Sequence, residues 1–95
     1  MIRLVWSKDA QSDLRALTLF YAQIMPDLPE RLIARIEEAA AKLIDFPRLG
    51  PELPDSDVRS WAAKGTPFLL LYRVTPDSVR ILKVRDARTD WKPRA

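Results

Sequence analysis

Pro67-Phe68-Leu69-Leu70-Leu71-Tyr72-Arg73-Val74, Thr75-Pro76-Asp77-Ser78 and Val79-Arg80-Ile81-Leu82-Lys83-Val84-Arg85 decide how this chain is read. Two apolar runs of strand length joined by Pro-Asp predict a β-hairpin. Pro76 presets the torsion of the first central turn position and Asp77 suits the second, as in a type I turn. The run from Phe68 to Val74 is apolar on both alternating sets, which predicts a strand covered on both faces and central in its sheet. The second run leaves the core carrying cations. A polar tail follows, Asp86-Ala87-Arg88-Thr89-Asp90-Trp91-Lys92-Pro93-Arg94, with one large aromatic.

Upstream, Val58 to Ala63 reads as another strand, turned back by Lys64-Gly65-Thr66-Pro67. Before it, Phe46-Pro47-Arg48-Leu49-Gly50-Pro51-Glu52-Leu53-Pro54 is too rich in proline to continue a helix. Its Phe46, Leu49 and Leu53 predict a connection packed onto the core. Leu32, Ile36, Ala39, Ala40 and Leu43 recur at helical spacing in a segment that starts at Pro29 and ends near Ile44. Met25-Pro26-Asp27-Leu28-Pro29 separates it from an earlier helix, because a proline bars its predecessor from helical torsions. That first helix runs from Lys8 to about Gln23 behind Ser7 as N-cap, with Ala10, Leu14, Leu17, Tyr21 and Ile24 on one stripe. Ile2 to Trp6 completes the list as a short strand. The order is β-α-α-β-β-β, and the fold class is α+β: a two-helix hairpin packed on one face of a mostly antiparallel four-stranded sheet.

Alternation then sorts the sheet. Phe68, Leu70, Tyr72 and Val74, with Leu82 and Val84, are expected to face the helices. Arg59, Trp61, Leu69, Leu71, Arg73, Lys83 and Arg85 are expected on the open face, where Trp61, Leu69 and Leu71 would form an apolar patch in want of a partner. A slip of one residue would exchange the two sets.

The 95 residues are expected to form a single domain, residues 1–95. With 47% hydrophobic and 31% charged residues the composition is that of a globular chain rather than a disordered one. There is no cysteine, which excludes disulfides and thiolate metal sites, and nothing in the pattern requires a cofactor or metal. No leader or membrane span is expected, so the expected location is cytoplasmic with no membrane partner. The net charge of +3 is unevenly spread: residues 1–56 carry 7 Lys/Arg against 9 Asp/Glu, residues 57–95 carry 9 against 4. The basic half is the β-rich half. Its cations serve either as solvated, edge-protecting charges or as a basic surface for a polyanionic or macromolecular partner.

In element order and in several phrases the chain resembles the ParE branch of the ParE/RelE superfamily of toxins from bacterial toxin–antitoxin pairs. The phrases are Val5-Trp6-Ser7 with Ala10 and Asp13-Leu14, Phe46-Pro47-Arg48-Leu49-Gly50, the run from Pro67 to Val74, and Ile81-Leu82-Lys83-Val84-Arg85 with Arg88 and Asp90-Trp91 beyond. The resemblance implies a type II toxin held inactive by a cognate, ParD-like antitoxin, with DNA gyrase inhibited by binding and no specific nucleic acid contacted directly. It also leaves a second mechanism on the same fold, RelE-like cleavage of mRNA at the ribosome, and a third reading as an inactive toxin-fold binding partner.

Cleavage by 2′-hydroxyl attack needs proton acceptors, donors and cations around phosphate. The chain has no histidine. RelE-like chains do without one by using Arg, Lys and a C-terminal Tyr, but here Leu69 stands where they place a central-strand arginine and Trp91 where they end in tyrosine. Lys64, Arg73, Arg85 and Arg88 remain as phosphate contacts for that alternative. Asp86 stands where many ParE-like chains have histidine. The favoured reading therefore has no catalytic residues: Arg73, Lys83, Arg85, Arg88 and Trp91 bind the target, and Trp61, Leu69 and Leu71 bind the antitoxin. The antitoxin would insert a helix and an extended acidic segment against Leu69, Leu71 and the groove between the two helices, while its carboxylates meet Arg and Lys. Each also has a plain structural role open to it. Trp91 can plug a groove on its own domain, Trp61 and Tyr72 can be packing residues, and Arg85 and Arg88 can pair with Asp86 and Asp90. Asp13 is expected to be solvated or to cap nearby backbone.

Overall fold

The computed structural model describes residues 1–89. Its elements are β1 (Arg3–Trp6), α1 (Lys8–Ala22), α2 (Leu28–Asp45), β2 (Arg59–Ala62), β3 (Phe68–Val74) and β4 (Ser78–Asp86), in the predicted order. The strands lie β1-β4-β3-β2, so β3 is internal as its two-sided apolar pattern required. The sheet is mixed: β3 pairs antiparallel with both neighbours, while β1 runs parallel to β4.

Ser7 starts α1 by accepting the Ala10 N–H at 3.0 Å, and its hydroxyl donates to the Leu82 carbonyl at 2.8 Å, tying the helix start to β4. Pro29 sits in the first turn of α2, where a missing N–H costs nothing. The α2 stripe is buried as expected at Leu32, Ile36, Ala39, Ala40 and Leu43. On α1, Ala10 and Leu17 are buried and Leu14 and Tyr21 half-buried, but Ile24 lies past the helix end and is exposed. No helix among the described residues is long and apolar enough to cross a membrane.

Three expectations about facing are corrected. In the β3–β4 ladder Leu71 pairs with Lys83 and Tyr72 with Ile81, so Leu82 is an extra residue, a β-bulge. The bulge resets the alternation: Val79, Ile81 and Val84 are buried in the core, whereas Leu82 turns to the open face beside Leu71. Arg59 pairs with Tyr72 and Trp61 with Leu70, which puts both on the helix side. There Arg59 donates to the Gly50 carbonyl at 2.8 Å and Trp61 packs against the core. The connection after α2 also behaves differently: Phe46 and Leu49 are exposed, and only Leu53 is half-buried.

That connection is held by polar contacts instead. The Tyr72 hydroxyl, fully buried, donates to the Pro47 carbonyl at 2.8 Å and accepts the Gly50 N–H at 2.9 Å. Tyr72→Phe leaves both groups without a partner, and the expected cost is about 1–3 kcal/mol in urea denaturation. Burial also pushes the Tyr72 phenol above its ordinary value, partly offset by the Gly50 N–H and by Arg59. The fold therefore favours the neutral phenol: this contribution is full below about pH 10 and is lost as pH rises through the higher folded value.

Candidate functional site: the basic open face of the closing hairpin

Side chains of β3 and β4 that point away from the helices bring Leu69, Leu71, Arg73, Lys83 and Arg85 onto one face, as expected. Arg80 joins them. It pairs with Arg73, is exposed, and among the described residues has no carboxylate within 4.0 Å. The sequence reading missed it, although pairing outward from the Thr75–Ser78 turn places 73 opposite 80.

The other cations of the site are already partnered. Arg73 Nε lies 3.1 Å from Asp57 Oδ2, Lys83 Nζ 3.2 Å from Asp9 Oδ2, and Arg85 Nη1 3.5 Å from Asp13 Oδ1. Arg88 Nη2 lies 2.6 Å from Asp86 Oδ2 and donates to Tyr21 Oη at 3.2 Å. The expected Arg85–Asp86 pairing is thus replaced by Arg85–Asp13, Arg88 does pair with Asp86, and Asp90 lies outside the described residues. So does Trp91.

Two of these pairs form a row. Asp9 and Asp13 are one helical turn apart, about 6 Å, and Lys83 and Arg85 are two strand residues apart, about 6.6 Å, so α1 and β4 match charge for charge. Asp13 also accepts the Val84 N–H at 2.9 Å. This bond has a topological cause: β1 ends opposite Ile81, and the rest of the β4 edge must find partners elsewhere, which Ser7 and Asp13 supply. Asp13→Ala should cost about 1–3 kcal/mol by stranding that part-buried N–H, measured by chemical denaturation.

Hydrogen bonds from the Arg88 guanidinium, with its charge, hold the Asp86 carboxyl below the usual carboxylate range and raise Arg88 in turn. The depressed value means that this contribution to stability is present above about pH 4 and is lost as pH falls through the folded value. Thermal melts from pH 6 downward should therefore flatten in Asp86→Asn.

The expected apolar patch is divided. Leu71 is buried at 7% exposure, not open to water, and shares a hollow of about 300 Å³ with Leu82, Lys83 and Arg85 under the Leu53–Val58 segment. Trp61 and Leu69, both half-buried, line a separate groove at the edge of β2. Lys64 lines that second groove, away from the hollow that Arg85 lines. An apolar surface also missed by the sequence reading lies on α1 and just beyond it, at Leu19, Phe20, Ile24 and Met25. Leu19 borders a shallow depression between the helices with Leu14 and Ile33, the groove expected there. Among the described residues no three His, Cys, Asp or Glu side chains gather as a metal site.

A small α+β chain with a two-helix hairpin over a β1-β4-β3-β2 sheet and a cationic open face is the form of a toxin–antitoxin toxin. Residues 4–91 match the family model described as ParE toxin of type II toxin-antitoxin system, parDE, and the chain belongs to that family. It is 29% identical over 87 residues to Toxin RelE2 of Caulobacter vibrioides, covering 92% of this chain and 97% of that one. Among solved structures it is similar to the chromosomal ParDE TA system from P. aeruginosa, with TM-score 0.78, 25% identity, and 90% and 96% of the two chains covered. The E. coli DinJ-YafQ complex shares the fold at TM-score 0.64 and 13% identity, over 97% and 100% of the two chains.

Proposed function

We propose that this toxin acts by binding, as a single domain in the cytoplasm, to inhibit DNA gyrase, and that a cognate ParD-like antitoxin neutralises it. The observation that carries the non-catalytic reading is the state of its cations. Arg73, Arg85 and Arg88, which a phosphate-cleaving site would need to hold its substrate, each already hold a carboxylate. A phosphate would have to displace Asp57, Asp13 and Asp86, and it would then meet no histidine, and leucine rather than arginine at position 69. Lys64 is set apart from them in the other groove. For a protein partner the same pairs act differently, since carboxylates hold the guanidinium groups in fixed positions at modest entropic cost.

The test is a supercoiling assay with purified gyrase run beside a translating-ribosome assay for mRNA integrity. Inhibited supercoiling with intact message is the expected result. Cut message with undisturbed supercoiling would replace this reading by RelE-like RNA cleavage, to which the likeness to Toxin RelE2 gives some support.

A further inference from the structure

We infer that this toxin pairs with a second copy of itself through the apolar hollow at the turn end of the closing hairpin. The hollow, about 600 Å³, lies between the chain after α2 and the end of β3, walled by Ile2, Phe46, Pro47, Leu49, Val74 and Pro76. Phe46 is 57% exposed and Leu49 38%. Neither the target contacts nor the antitoxin contacts proposed above use this surface. Its backbone is nonetheless held in place. The Tyr72 hydroxyl donates to the Pro47 carbonyl and accepts the Gly50 N–H, while Arg59 donates to the Arg48 and Gly50 carbonyls at 3.3 and 2.8 Å. A pinned loop that already presents a phenyl ring and a leucine to water loses little entropy when they are buried, as an anchoring site requires.

The charges select the occupant. Asp45 and Arg48 both line the hollow, both are exposed, and among the described residues neither has an opposite charge within 4.0 Å. One acid and one base beside a shared apolar floor make a self-complementary surface. Across a twofold axis Asp45 of each copy meets Arg48 of the other, and Phe46 of each enters the other's hollow. The remaining basic surfaces oppose self-pairing: the open face carries the unpaired Arg80, and the β2-edge groove is rimmed by Arg35, Lys42 and Lys64 with Glu38 as its one acid. Nine residues line the hollow, against about 20–30 a side in a standard interface, so the pairing is reversible and falls in the micromolar range. Arg85 stands near the far end of β4, about 20 Å along the strand from Ser78. The dimer therefore leaves the Arg85–Arg88 end free in both copies, and one particle carries two target-binding ends.

The experiment is analytical sedimentation of the purified full chain over a concentration series through the micromolar range. The expected result is a monomer that becomes a dimer as concentration rises, with Phe46→Ser weakening the pairing about tenfold or more. Asp45→Arg alone and Arg48→Asp alone each set like charges against one another across the twofold and stay monomeric, whereas a mixture of the two variants pairs again as a heterodimer. Asp45, Phe46 and Arg48 are exposed, and the loop is held through its backbone, so each variant keeps the wild-type melting temperature. A chain that stays monomeric throughout the series overturns the inference, as does a dimer that all three variants leave intact. Pairing lost in Phe20→Asp but kept in Phe46→Ser would move the contact to the exposed end of α1 and overturn it. A monomer whose Phe46→Ser variant loses affinity for the antitoxin would assign the hollow to the antitoxin, with the same consequence.

Discussion

Gly50→Ala is expected to destabilise this protein by about 3 kcal/mol or more, the largest effect of any single substitution considered. A Cβ on residue 50 would lie well inside the contact distance of the Ser60 carbonyl oxygen, and 3.0 Å from the Tyr72 ring. Neither neighbour can give way cheaply. Ser60 is backbone in a strand paired with β3, and Tyr72 is fully buried and pinned by the Pro47 carbonyl and by the Gly50 N–H itself. The measurement is the denaturation midpoint of the purified variant. A loss under 1 kcal/mol would mean that the post-α2 connection relaxes freely, and the close approach would then not be what holds it.

The second large effect is functional. Replacing Arg85 and Arg88 together by alanine should abolish growth arrest on expression. If each is a central contact worth about 2 kcal/mol, losing both weakens target binding roughly 10³-fold. The structure makes this substitution cleaner than the sequence could promise. Arg85 is half-buried and Arg88 exposed, so solvent screens their ion pairs with Asp13 and Asp86 and losing them costs the fold little. Asp13 keeps its second role, because its carboxylate still accepts the Val84 N–H. The variant should therefore keep its melting temperature within a few degrees and still bind the antitoxin, whose expected contacts Trp61 and Leu69 line the other groove. Undiminished toxicity would show that the target reads another surface, and exposed Arg80 with Arg73 would be the next to replace.

Helical periodicity made α2 legible residue by residue, because its buried stripe depends on spacing within one continuous segment. The same holds for Ser7 as a cap and for β3 as a central strand. The candidate site was legible only in part. Arg73, Lys83 and Arg85 do share a face, yet Lys83 and Arg85 are met by Asp9 and Asp13, more than 70 positions away. No local pattern announces such a pairing; it exists because α1 lies along the part of β4 that β1 is too short to cover. The misplaced facing of Leu82, Arg59 and Trp61 has a similar origin. A bulge, or a register chosen by the partner strand, inverts every alternation argument downstream of it.

Element order, the core stripe of α2 and the concentration of positive charge in the β-rich half were determined by the chain alone, since each rests on residue type and on spacing along one segment. Strand order, the parallel β1–β4 pairing and the division of the cations into paired and unpaired sets were decided only in three dimensions. The physical reason is that these depend on which backbone edges and charges are left without partners once all the elements have packed, and that remainder is a property of the assembled sheet rather than of any stretch of sequence.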